Sequence, residues 1–152
     1  DETTSNFGIV NGGKARNIVA DRVDIQAEVR SRNKTKLEKE TERIINHFSS
    51  KLQEFEAEFS YQKNLAYESF SIDSAHPVIA HVIKAGGQLG IDLSLKATGG
   101  GLDANILNTM GVTCVALGLG NYNPHTKEEY VIIDELHKGR KFLLEIINQI
   151  AQ

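Results

Sequence analysis

The run Gly99-Gly100-Gly101-Leu102-Asp103-Ala104-Asn105 places three consecutive glycines before a short helix-forming segment. Backbone N–H groups at such a turn can hold an anion or an oxyanion. Twenty residues after Asn105 comes His125, within Asn123-Pro124-His125-Thr126-Lys127-Glu128-Glu129-Tyr130. A histidine in a glycine-flanked loop, between an expected strand and an expected helix, is placed as a metal ligand or an acid–base group. One imidazole does not complete a metal site, which takes at least three protein ligands.

Around these residues the patterning changes along the chain. Phe7 to Asn11 reads as a strand ended by Gly12-Gly13. Arg16 to Arg30 reads as a second strand, with strict alternation from Val23 to Val29. The two form a β-hairpin. From Lys36 to Phe59 the apolar residues Leu37, Thr41, Ile44, Ile45, Phe48, Leu52, Phe55 and Phe59 recur at helical spacing, with Thr35 as the expected N-cap. Ser60 to Ile72 reads as a third strand. Strand, strand, helix, strand is an antiparallel sheet with a helix on one face.

The expected domain boundary falls at Asp73-Ser74-Ala75-His76-Pro77, where serine or aspartate before a proline signals a helix start. Beyond it come a helix from Pro77 to Leu89, a strand from Asp92 to Thr98 and a helix from Leu102 to Met110. A buried strand from Val112 to Leu117 and a helix from Glu135 to Ala151 complete the pattern. This is the texture of an α/β sheet with too few strands to be complete. The fold class is thus α+β over residues 1–72 and α/β over residues 73–152.

The chain has 152 residues, 40% hydrophobic and 24% charged, enough for one ordinary domain or two small ones. A formal charge of −3 argues against nucleic acid as the main partner. No apolar stretch approaches the ~20 residues of a membrane span. The single cysteine, Cys114, sits in an apolar run and reads as a reduced, buried thiol of a cytoplasmic protein. The chain opens on Asp1, with Met110 its only methionine, and the expectation is a piece of a longer protein.

Four stretches carry a family likeness: Gly12 to Val19, Glu28 to Ser31, Thr98 to Asn105, and Asn123 to Tyr130. With them the chain resembles the zinc-dependent exopeptidase family of peptidase T (tripeptidase), carboxypeptidase G and succinyl-diaminopimelate desuccinylase, most of all its bacterial peptidase T-like branch. The resemblance implies the later part of a lid domain, residues 1–72, followed by the C-terminal part of a two-zinc catalytic domain, residues 73–152. The upstream zinc motifs of the family are not in this chain.

On that resemblance His125 matches a zinc-binding histidine, and Glu129 a glutamate that orients it. Asp103 matches an aspartate that caps the helix and holds the loop. Leu102 stands where the family has serine or threonine. Asn17 and Arg30, thirteen residues apart, match a lid asparagine and arginine that bind the substrate. On one strand, odd spacing would put them on opposite faces unless a bulge intervenes. Gly99, Gly100 and Gly101 would let a substrate approach the backbone. His47, His76, His81 and His137 read as structural or surface residues. The implied activity is hydrolysis of short peptides, tripeptidase- or aminopeptidase-like, by a cytoplasmic homodimer joined through the lid. The 152-residue chain alone is expected to be inactive. The alternative is a non-catalytic dimerisation or peptide-binding module.

Overall fold

The computed structural model describes residues 2–118 and 120–151. They form two compact units, Asp1–Ser69 and Phe70–Gln152.

The first unit is a hairpin with one helix. Strand β1 (Thr4–Gly12) pairs antiparallel with β2 (Val23–Arg30). The register shifts by one residue between Phe7 and Ile9, a bulge at Gly8. The shift explains an apolar run that does not alternate. It sets Phe7 opposite Ala27 and Val10 opposite Ile25, so both join the face carrying Val23, Ile25, Ala27 and Val29. β2 begins at Val23 rather than Arg16, and residues 13–22 are a loop in which Lys14 and Asp21 form an exposed ion pair.

Helix α1 (Lys34–Gln53) starts at Asn33, whose Oδ1 accepts the Lys36 N–H at 3.0 Å. Thr35, the expected cap, already lies inside the helix. The helix also stops short of Phe59. Glu56 adopts a left-handed φ of 53°, and the Ala57 N–H reaches back to the Leu52 carbonyl at 3.0 Å, closing the helix end. The chain then returns, and Phe59 stacks on Phe48 at 6.2 Å and on Tyr61 at 5.7 Å. Phe48 in turn meets Phe7 at 5.8 Å, so an aromatic ladder packs the helix on the hairpin. Residues 60–72 form no strand. Tyr61 stacks on Phe59, but Leu65 stays 60% exposed, and no ladder holds the backbone among the described residues.

The second unit centres on α2 (Pro77–Gln88) and α4 (Ile133–Ile150). Val82, Ala85, Phe142 and Ile146 are buried between them, with Ile91, Leu93, Val115 and Leu117 packed against this core. The α2 cap is His76, not the serine or aspartate before it: its Nδ1 accepts the Val78 N–H at 3.2 Å. Gly90, at φ 65°, ends α2, and Gly111, at φ 83°, ends the short helix α3 (Asp103–Thr109). Residues 92–98 and 112–117 form no strands, contrary to the expectation from their apolar patterning. A strand exists only with a partner to share its N–H and C=O groups, and neither segment has one among the described residues. Residues 112–117 are half exposed, Val112 by 53%, where a fully buried strand was expected. The remaining strands, β3 (Asn121–Tyr122) and β4 (Tyr130–Val131), form a small antiparallel hairpin directly before α4.

Candidate functional site

His125 lies in the loop of the β3–β4 hairpin, not between a strand and a helix as its surroundings suggested. It is exposed, and its backbone is left-handed at φ 66°; Asn123, two residues earlier, is also left-handed at φ 52°. Such a conformation costs a non-glycine residue about 1–2 kcal/mol and persists only where neighbours enforce it. They do so here. The Thr126 hydroxyl donates to the Asn123 carbonyl at 2.9 Å and accepts the Glu128 N–H at 3.2 Å. The Glu129 carboxylate accepts the His125 backbone N–H at 3.2 Å and the Asn121 side-chain amide at 3.1 Å. Glu129 therefore bonds the backbone of His125; the expected orienting role would be exerted there. Its two donors, the Asn121 amide first and the His125 N–H second, hold its carboxyl below the usual range.

The hairpin is tied to α4. The Tyr122 and Tyr130 rings stack at 5.0 Å, and the Tyr122 hydroxyl donates to Glu135 at 2.9 Å. That hydrogen bond to the Glu135 carboxylate raises the Tyr122 phenol pKa.

At the glycine turn, a Cβ on Gly99 would meet nothing within 4 Å, so the backbone lies open to a ligand. The Gly100 N–H donates to the Thr98 hydroxyl at 3.3 Å. The α3 start is capped from within: the Leu102 N–H donates to Asn105 Oδ1 at 3.0 Å. Asp103, expected to cap, is instead the first helical residue, exposed, where its charge favours the helix N-terminus. Leu102 carries no side-chain acceptor to fill the cap role.

Beyond α3, one residue invisible to motif reading organises the backbone of residues 112–117. Asn108 on α3 donates through Nδ2 to the Cys114 carbonyl at 2.8 Å and to the Ala104 carbonyl at 2.7 Å. Its Oδ1 accepts the Cys114 N–H at 3.3 Å. The side-chain amide thus takes the place of a neighbouring peptide group beside this segment. Cys114 itself is half-buried and free, where full burial was expected.

Arg30 ends β2 and pairs with Glu28, Nη2 to Oε2 at 3.0 Å, with both side chains about half exposed. The Glu28 hydrogen bond raises the pKa of the guanidinium. Asn17 is in the loop at the other end of the hairpin, so the parity argument for the pair does not apply. The strand from Val23 to Arg30 alone spans about 24 Å. The structure does not bring the two residues together, and the bulge, on β1, does not lie between them. Two shallow hollows in the first unit, of about 210 and 310 Å³, include neither residue. Among the described residues no group of three or more His, Cys, Asp or Glu side chains could hold a metal ion.

The mixed α and β chain, with its small antiparallel sheets, glycine turn and histidine-bearing hairpin, matches known proteins along its full length. The model of the peptidase family M20/M25/M40 covers residues 3–149, and the chain belongs to that family. Uncharacterized protein YqjE of Bacillus subtilis is 32% identical over the whole chain, which corresponds to 41% of that relative. Peptidase T of Shewanella pealeana is 36% identical over 51% of the chain and 19% of its own length. Among solved structures, a tripeptidase from Staphylococcus aureus superposes over 100% of the chain and 41% of its own, at 31% identity and a TM-score of 0.87. The aminopeptidase PepT of Bacillus cereus does so over 99% and 40%, at 32% identity and a TM-score of 0.78. The chain spans about two fifths of the length of these full-chain relatives.

Proposed function

We propose that this chain is the C-terminal part of a peptidase that removes residues from the ends of short peptides, tripeptidase- or aminopeptidase-like. The observation that carries the reading is agreement in sequence and fold along the whole chain with a tripeptidase, at 31% identity and a TM-score of 0.87.

In this reading His125 is one ligand of a zinc site with two ions. Its imidazole is of the chemistry zinc takes. Among the described residues no three His, Cys, Asp or Glu side chains converge to hold a metal, so in this reading the remaining ligands come from outside this chain. Zinc, when bound, supplies a Lewis acid that polarises the scissile carbonyl and activates water. This chain's own residues bind and orient. Gly99, Gly100 and Gly101 lie alongside the peptide, which the open space at Gly99 admits, with the Asp103 charge at the helix N-terminus beside them. Arg30, once released from Glu28, offers a planar fork for a peptide carboxylate. Asn17, at the far end of the hairpin, contacts a different group. The partner of the first unit is a second copy: each strand of its two-stranded sheet is hydrogen-bonded on one side only among the described residues. In this reading the protein works in the cytoplasm, where its single cysteine, Cys114, stays a free thiol.

The test uses the full-length protein with zinc and trialanine, with release of alanine as the readout. Cleavage is expected, with activity abolished or greatly reduced in His125→Ala, while the 152-residue chain alone is inactive. Absence of cleavage by the full-length protein sinks the peptidase reading. Wild-type turnover in His125→Ala removes His125 from the site.

A further inference from the structure

The left-handed backbone of His125 needs a cause, and the hydrogen bonds supply one. Its φ of 66° fixes the direction of the Cα–Cβ bond, and with it where the imidazole can reach. A change to the right-handed region near −63° would turn that bond about N–Cα by roughly 130°. The turn bonds at Thr126 shape the loop, but the His125 N–H itself donates to Glu129. Glu129 is exposed, and an exposed carboxylate left to itself turns toward water. Here its second oxygen accepts the Asn121 side-chain amide at 3.1 Å. Asn121 stands on β3, paired with Val131 and next to the Tyr122 ring that stacks on Tyr130, so it is anchored to the hairpin frame.

We propose that Asn121 is a positioning residue for His125, acting through the Glu129 carboxylate to hold the histidine backbone left-handed. Its bearing on catalysis rests on the reading of His125 as a metal ligand. The two carboxylate oxygens divide the work, one gripping the strand and the other the loop apex. Neither bond touches the imidazole, so both ring nitrogens stay available.

The experiment combines crystal structures with zinc affinity, measured on the full-length protein by competition with a chromophoric chelator. In Asn121→Ala, φ of His125 should leave the left-handed region and zinc affinity should fall roughly 10- to 100-fold, as for other residues that orient ligands. Asn121→Asp keeps the size but sets a second carboxylate against Glu129, and should be weakened at least as much. Asn121→Gln keeps the donor and should recover part of the loss. In a His125→Ala background, Asn121→Ala should change nothing further. A left-handed His125 and unchanged affinity in Asn121→Ala overturn the proposal. So does a loss of affinity that persists without His125. Unchanged zinc affinity in His125→Ala alone is a different failure: it refutes the metal reading, and φ in the Asn121 variants then decides the positioning role.

Discussion

Asn108 gives the sharpest test of what holds the second unit together. Its amide makes three hydrogen bonds, at 2.7, 2.8 and 3.3 Å, two of them with the backbone of Cys114. At about 1 kcal/mol net for each bond, Asn108→Ala should cost about 2–3 kcal/mol. With an m-value near 2 kcal/mol/M in urea, that moves the midpoint by about 1–1.5 M. Asn108→Asp is the more informative variant. It keeps the shape and the acceptor but sets a carboxylate oxygen against the Ala104 and Cys114 carbonyls in place of the donor. The ionised form is disfavoured, so the folded pKa of this aspartate rises above its ordinary ~3.9. A raised folded pKa contributes stability that is fully present below the unfolded value and is lost as pH rises through the folded one. Asn108→Asp should therefore be more stable than Asn108→Ala at pH 3.5 and less stable at pH 7. The difference between the two variants cancels every other titrating group. Urea unfolding of the chain, monitored by far-ultraviolet circular dichroism at both pH values, reads it. A difference that is flat with pH would refute the bridge.

Two adjacent glycines on α2 should respond in opposite directions. A Cβ on Gly86 would lie 2.5 Å from Leu93 Cδ1, so Gly86→Ala should lose about 1–2 kcal/mol net of its helix-propensity gain. Gly87 has nothing within 4 Å, and Gly87→Ala should gain about 0.5–1 kcal/mol in the same urea assay. In the first unit, the Arg32 backbone N–H and then the Ser31 hydroxyl, each at 2.7 Å, hold Glu2 below its ordinary 4.5. A depressed carboxyl stabilises above that value and loses its contribution as pH falls through the folded one. Thermal melts should therefore show Glu2→Gln less stable than wild type at pH 7, with the gap closing at pH 3. In the full-length protein, Arg30→Ala should lower kcat/KM for peptides with a free C-terminus roughly 10- to 100-fold, and for C-amidated peptides much less. Equal losses would make Arg30 a structural residue.

The helices were legible in the sequence because their start and stop signals are local. Pro77, Gly90 and Gly111 act on their own backbone, so α2 and α3 stand within a residue of where patterning put them. Patterning carries α1 on to Phe59 because Phe55 and Phe59 keep the helical spacing; the left-handed Glu56 that ends it carries no glycine to announce it. Strands were less legible, since apolar patterning specifies a surface but not the neighbour that makes a ladder. The hairpin at Val23–Arg30 has that neighbour, and residues 60–72, 92–98 and 112–117 do not among the described residues. At the candidate site, the loop setting singled out His125, and the family resemblance added Glu129. Neither could reveal the left-handed loop, nor Asn121 and Asn108, whose roles arise from hydrogen bonds rather than residue type.

The run Val112-Thr-Cys-Val-Ala-Leu117 carries no charge and no proline and is rich in β-branched residues. With Asn108 occupying only the Cys114 peptide, the rest of this backbone has no strand beside it among the described residues. Such a segment is a template for self-association: a second chain can supply the missing ladder, and a third can extend it. For this chain on its own, the tendency to self-associate is therefore set locally, by how fast these six residues find cover. A lysine at the exposed Ala116, flanked by Val115 and Leu117 of the core cluster, is where a gatekeeper charge would slow aggregation without entering that core.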